Sequence, residues 1–477
     1  PPPRALKWLI WALVTLTVLA IIGGIVGIYA FQNWVPPRYQ VQLSTRFPVM
    51  NVFLPQRDNT ITLPTPIPST GEDEVDLNDL LGLSAAEDES DETAPVESVE
   101  PTPEGDADAA AVVIVPTATP LPPTMTPTVL PTATPIPSTA IPPTAVPAVS
   151  AAVNTASQAN NVSLPPPNAR NFGFTYVQQT WNNCGPANVT MALSYFGWQQ
   201  SQDYAESYLR GNREDKNVSP DEIVQFVGEQ TQLQAVYRVG ADLTTLKRVV
   251  AAGFPVIVEL GYAPEGNDWL GHYQTVVGYD DAAGSLYVFD SYIPSDQGLP
   301  VRYADFDSDW QQFTRTMIVF YQPSREGELM SILGDLATAQ GGYQAALTEA
   351  QRAARVNPQD GFALFNLGRA YTFLGDYDRA AAAFDRARQQ NLPWRISWYQ
   401  FEPFRAYYET GRYSDVLALV ESNLTTLGGG FVEETMYWQG RVLEAEGDRA
   451  GAASSYRRAL QQNRSFEEAQ AALERVS

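Results

Sequence analysis

The 477-residue chain has one cysteine and one histidine. A single cysteine excludes an intramolecular disulfide. One thiol and one imidazole also fall short of the ligand set that a structural zinc site needs. Basic residues are scarce, with 30 Lys and Arg against 54 Asp and Glu and a formal charge of -24. No Lys/Arg cluster is present, so no nucleic-acid partner is expected, because phosphate binding needs such clusters. Much of the acidity lies between Glu72 and Asp108. It lacks the spacing of a calcium loop, and no metal or other cofactor is expected.

Long apolar runs are equally few. Trp8 to Phe31 is unbroken except for glycines, long enough to cross a hydrocarbon core of ~30 Å as a helix. Arg4 and Lys7 precede it, which predicts a cytoplasmic N-terminus and places the rest of the chain outside. A cleaved signal peptide is the alternative, but Tyr29 and Trp34 suit a membrane interface better than a cleavage site. The expectation is a single-pass cell-membrane protein, with residues 1–34 as cytoplasmic tip and transmembrane helix. Residues 35–167 read as a juxtamembrane segment and a disordered stalk. Arg38 to Thr45 alternates somewhat like a strand, and from Pro66 the composition shifts to acidic and then Pro/Thr-rich. Repeats such as Pro116-Thr117-Ala118-Thr119-Pro120 favour an extended polyproline spacer, since proline fixes φ and has no N–H to donate.

Residues 168–322 read as a globular α+β domain. Val189 to Tyr195 predicts the core face of a helix. Pro255 to Leu260, Gln274 to Tyr279, Ser285 to Phe289 and Met317 to Tyr321 predict strands. Cys184 stands just before the helical pattern in Asn183-Cys184-Gly185-Pro186-Ala187, and Pro186 suits a first helical turn. A helix N-terminus favours thiolate over thiol. His272 opens the strand-like His272-Tyr273-Gln274-Thr275-Val276-Val277 and is the sole candidate base. Asp290 ends the next run. A hairpin through Asp280 to Gly284 would bring it to His272, whereas Asp280 and Asp281 sit in the turn. The backbone N–H of Cys184 and a side-chain amide from Gln179 or Gln178 would form an oxyanion hole, with Gln179 preferred.

This combination resembles the double-glycine leader (bacteriocin-processing) peptidase-like family of papain-like cysteine peptidases, over Phe172 to Tyr321. The resemblance implies a papain-like fold, thiol-dependent peptide hydrolysis and a peptide or protein substrate. Ser291 follows Asp290 where the family usually has Pro. Leader-processing members are cytosolic and fused to a transporter with a nucleotide-binding domain. This chain has no phosphate-binding Gly-Lys loop and is expected to face outward, so leader processing is a poor guess for its substrate.

Residues 325–477 are rich in Ala, Arg, Gln and Glu with helical periodicity. Gly341-Gly342-Tyr343, Gly375-Asp376-Tyr377, Gly411-Arg412-Tyr413 and Gly447-Asp448-Arg449 recur about every 35 residues and mark equivalent turns. Leu367-Gly368, Tyr371, Ala380, Phe384 and Ala387 supply one unit's large and small positions. This resembles the tetratricopeptide repeat family and implies an all-α solenoid. Trp394, Trp398 and Pro403 make the first helix of the third unit degenerate. Such repeats either bind a protein or peptide partner or pack on the preceding domain. The reading of the whole is a membrane-anchored extracytoplasmic cysteine peptidase with a binding domain. The alternative is an inactive papain-like scaffold serving as a tethered adaptor.

Overall fold

Val256–Tyr262, apolar but for the buried Glu259, forms strand β3, the centre of an antiparallel sheet. The computed structural model describes residues 14–17, 23–24, 26–29, 62–67, 75–83, 164–215, 217–263, 268–426 and 428–477. Contacts divide the chain into residues 1–87 with 162–477, and residues 88–161. The second unit lies outside the described residues, as do Arg38 to Thr45 and the Pro/Thr repeats. Of Trp8 to Phe31, short helical pieces at 14–17, 23–24 and 26–29 are described. Among the described residues no helix is long and apolar enough to cross a membrane.

The other strands are β1 (Asn168–Arg170), β2 (Gln234–Arg238), β4 (Leu270–Asp280), β5 (Ser285–Asp290), β6 (Leu299–Arg302) and β7 (Met317–Tyr321). The order is β2-β7-β3-β4-β5-β6, with β1 extending the β3 edge along the far end of β4. Helices cover both faces, which is why the central strands are apolar on both sides. On one face lie α1 (Cys184–Ser194), α2 (Gln202–Leu209) and α3 (Pro220–Gln230). Val189, Leu193, Ile223 and Phe226 from these helices pack on Ile257, Ile318 and Phe320. On the other lie α4 (Leu243–Ala251), α5 (Tyr303–Trp310) and α6 (Glu326–Leu333), packing Leu246, Val250, Trp310 and Leu329 on Val256, Val258 and Val319. Helix α6, which falls inside the 325–477 expected for the repeats, therefore completes the sheet domain's core.

The repeats follow as paired helices: α7 (Ala339–Val356), α8 (Gly361–Leu374), α9 (Tyr377–Arg388), α10 (Glu402–Glu409), α11 (Tyr413–Thr425), α12 (Glu433–Ala445), α13 (Arg449–Gln462) and α14 (Glu467–Val476). Gly375, Gly411 and Gly447 turn the chain at φ of +81°, +70° and +89°, as expected of glycine in a left-handed turn. The fourth expected turn is different. Gly341 and Gly342 lie inside α7, because Thr338 caps the helix by accepting from the N–H of Gly341. Gly368 is small because a Cβ would meet the Phe384 ring at 2.7 Å. The degenerate unit has Trp394–Trp398 as a separate 3-10 turn, leaving α10 only eight residues long.

One further finding departs from the sequence reading, and a second fits an alternative it left open. Pieces of the stretch read as juxtamembrane segment and stalk are built into the repeats. Leu63, Leu80 and Leu81 are buried with Phe384 and Tyr407 in one apolar cluster. Arg388 donates to the carbonyls of Pro64 and Thr65, Arg379 pairs with Asp79, and the Leu80 carbonyl accepts from the hydroxyl of Tyr371. Proline around Leu63 and acidic residues around Leu80 and Leu81 hid these leucines, because a segment with no structure of its own can still be ordered by a waiting apolar face. The repeats also pack directly on the sheet domain. Asn366 donates to the Gln311 carbonyl and accepts from Thr314, Gln400 donates to the Gln312 carbonyl, and Arg395 pairs with Asp268. Backbones touch where Gly240 meets α7, since a Cβ there would lie 2.5 Å from the N of Ala346.

Candidate active site

Cys184 is the first residue of α1, where backbone N–H groups have no intrahelical partner. The preceding loop is held from outside the helix. Asn182 takes φ 55°, a left-handed conformation that asparagine tolerates. Asn183 does not cap α1; its Nδ2 donates to Gln202 Oε1 at 2.7 Å and its Oδ1 accepts from Arg210 at 3.2 Å. Arg210 also donates to the Trp181 and Asp215 carbonyls and pairs with Glu206. From α1, Asn188 donates to the Tyr273 carbonyl and to Ser291 Oγ, and accepts from Thr275 Oγ1 at 2.8 Å. One side chain thus ties the helix to β4 and to the end of β5.

His272 lies on β4, two residues inside a strand that begins at Leu270 rather than at the histidine. Register places Asp290 opposite Gln274, so Asp290 is the diagonal same-face neighbour of His272. Asp290 Oδ1 lies 3.2 Å from His272 Nε2, and its Oδ2 accepts from Gln274 Nε2 at 2.8 Å. Tyr262 stacks on the imidazole at 4.8 Å. His272 Nδ1 is buried and has no hydrogen-bond partner among the described residues. That nitrogen can exchange a proton with the thiol, and the two groups shift each other's protonation.

Burial acts against the charged form of each member of this set, and partners outweigh it. Burial pushes the Cys184 thiol up, but the imidazole and the backbone N–H groups of Tyr273 and Gly185 bring it below its ordinary value. Burial pulls His272 down, and the Asp290 carboxylate together with Cys184 raises it to about 10. Burial pushes Asp290 up, while His272, Gln274 and the N–H of Tyr292 hold it below its usual range. The directions favour a thiolate–imidazolium pair backed by a carboxylate.

Gln179 sits at the end of β5, where its N–H donates to the Ser291 carbonyl and its Oε1 accepts from Ser291 Oγ at 2.7 Å. That bond leaves its amide nitrogen to donate. Gln178 is exposed, and its carbonyl accepts from Gln202. Asp280, expected in the turn, is instead the last residue of β4, paired with Ser285 and accepting from the N–H of Ala282, whereas Asp281 lies in the turn and pairs with Lys247. Ser291, in place of the family's proline, carries the hydroxyl that joins Gln179 to Asn188.

The pocket before the sulfur is lined by Gly185, Val218, Glu259, Gly271, Tyr273 and Tyr399, among others. Tyr399 comes from the repeats. It fits because Gly271, beside His272, has no side chain; a Cβ there would lie 2.9 Å from the tyrosine ring. Glu259 is buried next to the thiol, and burial pushes its carboxyl up to about 8. Sequence reading missed Gln274, Asn188 and Tyr399. Gln274 carried a signal, since it stands two residues from His272 on one strand face. Tyr399 carried none, being 127 residues from His272 by their numbers.

Residues 173–318 match the model of the Peptidase_C39 like family, and residues 333–393 match a tetratricopeptide repeat model. No curated protein matches the sequence. Several solved structures align with the chain. A Bacillus anthracis protein described as a C39-like peptidase is 18% identical, with 32% of this chain and 96% of that one covered and a TM-score of 0.27. The peptidase domain of Streptococcus ComA, a bifunctional ABC transporter, is 21% identical over 31% and 98%, with a TM-score of 0.26. A double glycine motif protease from an AMS/PCAT transporter, in complex with its leader peptide, is 17% identical over 34% and 99%, with a TM-score of 0.25. The chain thus carries a C39-like peptidase domain with a sheet, followed by helical repeats.

Proposed function

We propose that this chain is a cysteine peptidase that cleaves peptide bonds through an acyl-thioenzyme. The observation that carries the reading is the line from Asp290 to His272 Nε2, with His272 Nδ1 left free beside a thiol at a helix N-terminus. The Cys184 thiolate attacks the peptide carbonyl, and the Cys184 N–H with the Gln179 amide stabilises the oxyanion. The imidazolium of His272 gives its proton to the leaving amine. The neutral ring then takes a proton from water, whose oxygen attacks the thioester, and the acid leaves as the thiolate re-forms. Asp290 keeps the ring oriented, and Gln274 keeps Asp290 in place.

Anchoring by Trp8 to Phe31, with the folded domains outside the cell, remains part of this proposal and is supported by the apolar run and its basic flank. The repeats would bind a protein or peptide partner. The adaptor reading also has an observation behind it: Tyr399 narrows the space before the thiol. Labelling with an iodoacetamide probe at neutral pH separates the two readings. A peptidase labels at Cys184 much faster than free cysteine and cleaves a peptide library, with both losses in Cys184→Ala. Labelling no faster than free cysteine, with no cleavage, would establish the scaffold.

A further inference from the structure

A second concavity, of about 590 Å³, opens between α2 and α3 of the sheet domain and the last repeat helices. Its lining includes the carboxyl groups of Asp221, Glu222, Glu229, Glu433, Glu434, Glu467 and Glu468, and no lysine, arginine or histidine. Acidic lining alone is a common surface feature. Here, however, Glu433 is only 3% exposed, and its Oε2 has no hydrogen-bond partner among the described residues. The Oε2 of Glu434 is likewise buried and unpartnered. The opposite oxygens are fixed by neutral amides, Asn463 on Glu433 at 2.8 Å and Asn217 on Glu434 at 2.9 Å. Leaving a buried carboxylate oxygen without a donor costs free energy that a ligand's donors recover.

Aromatic rings complete the lining, with Tyr437, Trp438 and Phe466 among them. Carboxylates beside aromatic faces suit a guanidinium or ammonium group, which takes bidentate hydrogen bonds from the first and cation–π attraction from the second. Two of these rings already face a cation of the chain itself. Arg441 stands 5.7 Å from the centroid of Tyr437 and 5.9 Å from that of Trp438. A bare metal ion does not suit the cleft, because among the described residues no three acidic, His or Cys side chains converge as ligands. Burial pushes the carboxyls of Glu222, Glu433 and Glu434 up, repulsion from neighbouring carboxyls adds to it at Glu222 and Glu434, and an entering cation opposes both.

The cleft adjoins the catalytic pocket through one peptide bond. Val218 lines the pocket of Cys184, and Ser219, the next residue, lines the acidic cleft. We propose that this cleft binds the lysine or arginine side chains of a basic peptide segment. If the peptidase reading holds, on which the word substrate rests, that segment flanks the scissile bond, and the site selects basic substrates.

The test uses the full chain carrying Cys184→Ala, so that binding is measured without cleavage. The probe is a fluorescein-labelled Gly/Ser peptide with an Arg-Arg pair, compared with the same peptide carrying citrulline. The arginine peptide is expected to bind at least tenfold tighter. Glu433→Gln with Glu434→Gln should abolish that preference while leaving the melting temperature within a few degrees. Should that pair unfold, the exposed rim pair Glu467→Gln and Glu468→Gln should reduce the preference several-fold. Equal binding of the two peptides, or a preference that survives in the folded variants, overturns the proposal. Failure of the peptidase reading is read separately. Slow iodoacetamide labelling of the Cys184 protein beside an intact arginine preference leaves the cleft assigned and removes only the word substrate.

Discussion

At the residue scale the site depends on a proton held between His272 and Cys184. The imidazole is raised to about 10 and the thiol lowered, so the ion pair spans neutral pH. Activity should rise as acid-protonated thiol ionises and fall again as pH climbs through about 10, where the imidazolium loses the proton it donates to the leaving amine. A kcat/KM profile from pH 4 to 11 checks both limbs; an alkaline limb near the ordinary histidine value would contradict the Asp290 partnership. His272→Ala should slow thiol labelling at neutral pH by at least ~10-fold, since the thiol then loses the partner that lowers it. Gln179→Ala should reduce kcat by about 10²–10³ with little change in KM, the size seen when one oxyanion donor is removed. A comparable loss in Gln178→Ala instead would exchange the two roles.

At the scale of elements, Cys184 is placed by a loop and not by the helix alone. Arg210, its side chain 1% exposed, gathers the Trp181 and Asp215 carbonyls, Asn183 Oδ1 and Glu206 around one guanidinium. Arg210→Met removes the cation and leaves those acceptors buried. Breaking such a buried set costs about 3–5 kcal/mol, which urea denaturation would measure. Sequence reading located α1 and strands β3, β4, β5 and β7, because apolar runs such as Val256-Ile257-Val258 state their own burial, but it did not name α2 or α3. The loop itself was illegible. Nothing in Trp181-Asn182-Asn183 announces that its partner is an arginine just past the end of the next helix.

On the scale of the whole molecule, domains that read as separate share walls. Tyr399 crosses from the repeats to the pocket of Cys184. Tyr399→Ala should enlarge that pocket and speed the reaction of Cys184 with bulky thiol reagents, leaving small ones unchanged. Equal effects on both would mean that the ring does not limit access. Residues 62–67 and 75–83 bury Leu63, Leu80 and Leu81 in the repeat core. Each leucine contributes about 1.5–3 kcal/mol when fully buried. Deleting residues 1–87 should therefore lower the melting temperature by several degrees, whereas deleting only 1–61 should not. Thermal unfolding of the two truncated chains decides it.

The sequence alone determined the candidate residues and the local geometry. One thiol at a helix start, one imidazole on a strand and one carboxylate across a hairpin follow from patterns that act over a few residues. Helical and strand periods, turn glycines and proline positions are local consequences of backbone sterics. Tertiary structure decided what meets across distance: Gln274 behind Asp290, Tyr399 over the thiol, the leucines of a proline-rich and an acidic stretch inside the repeats, and unpaired carboxyls in a shared cleft. Such meetings depend on burial energy summed over the whole fold, and no short stretch of sequence encodes that sum.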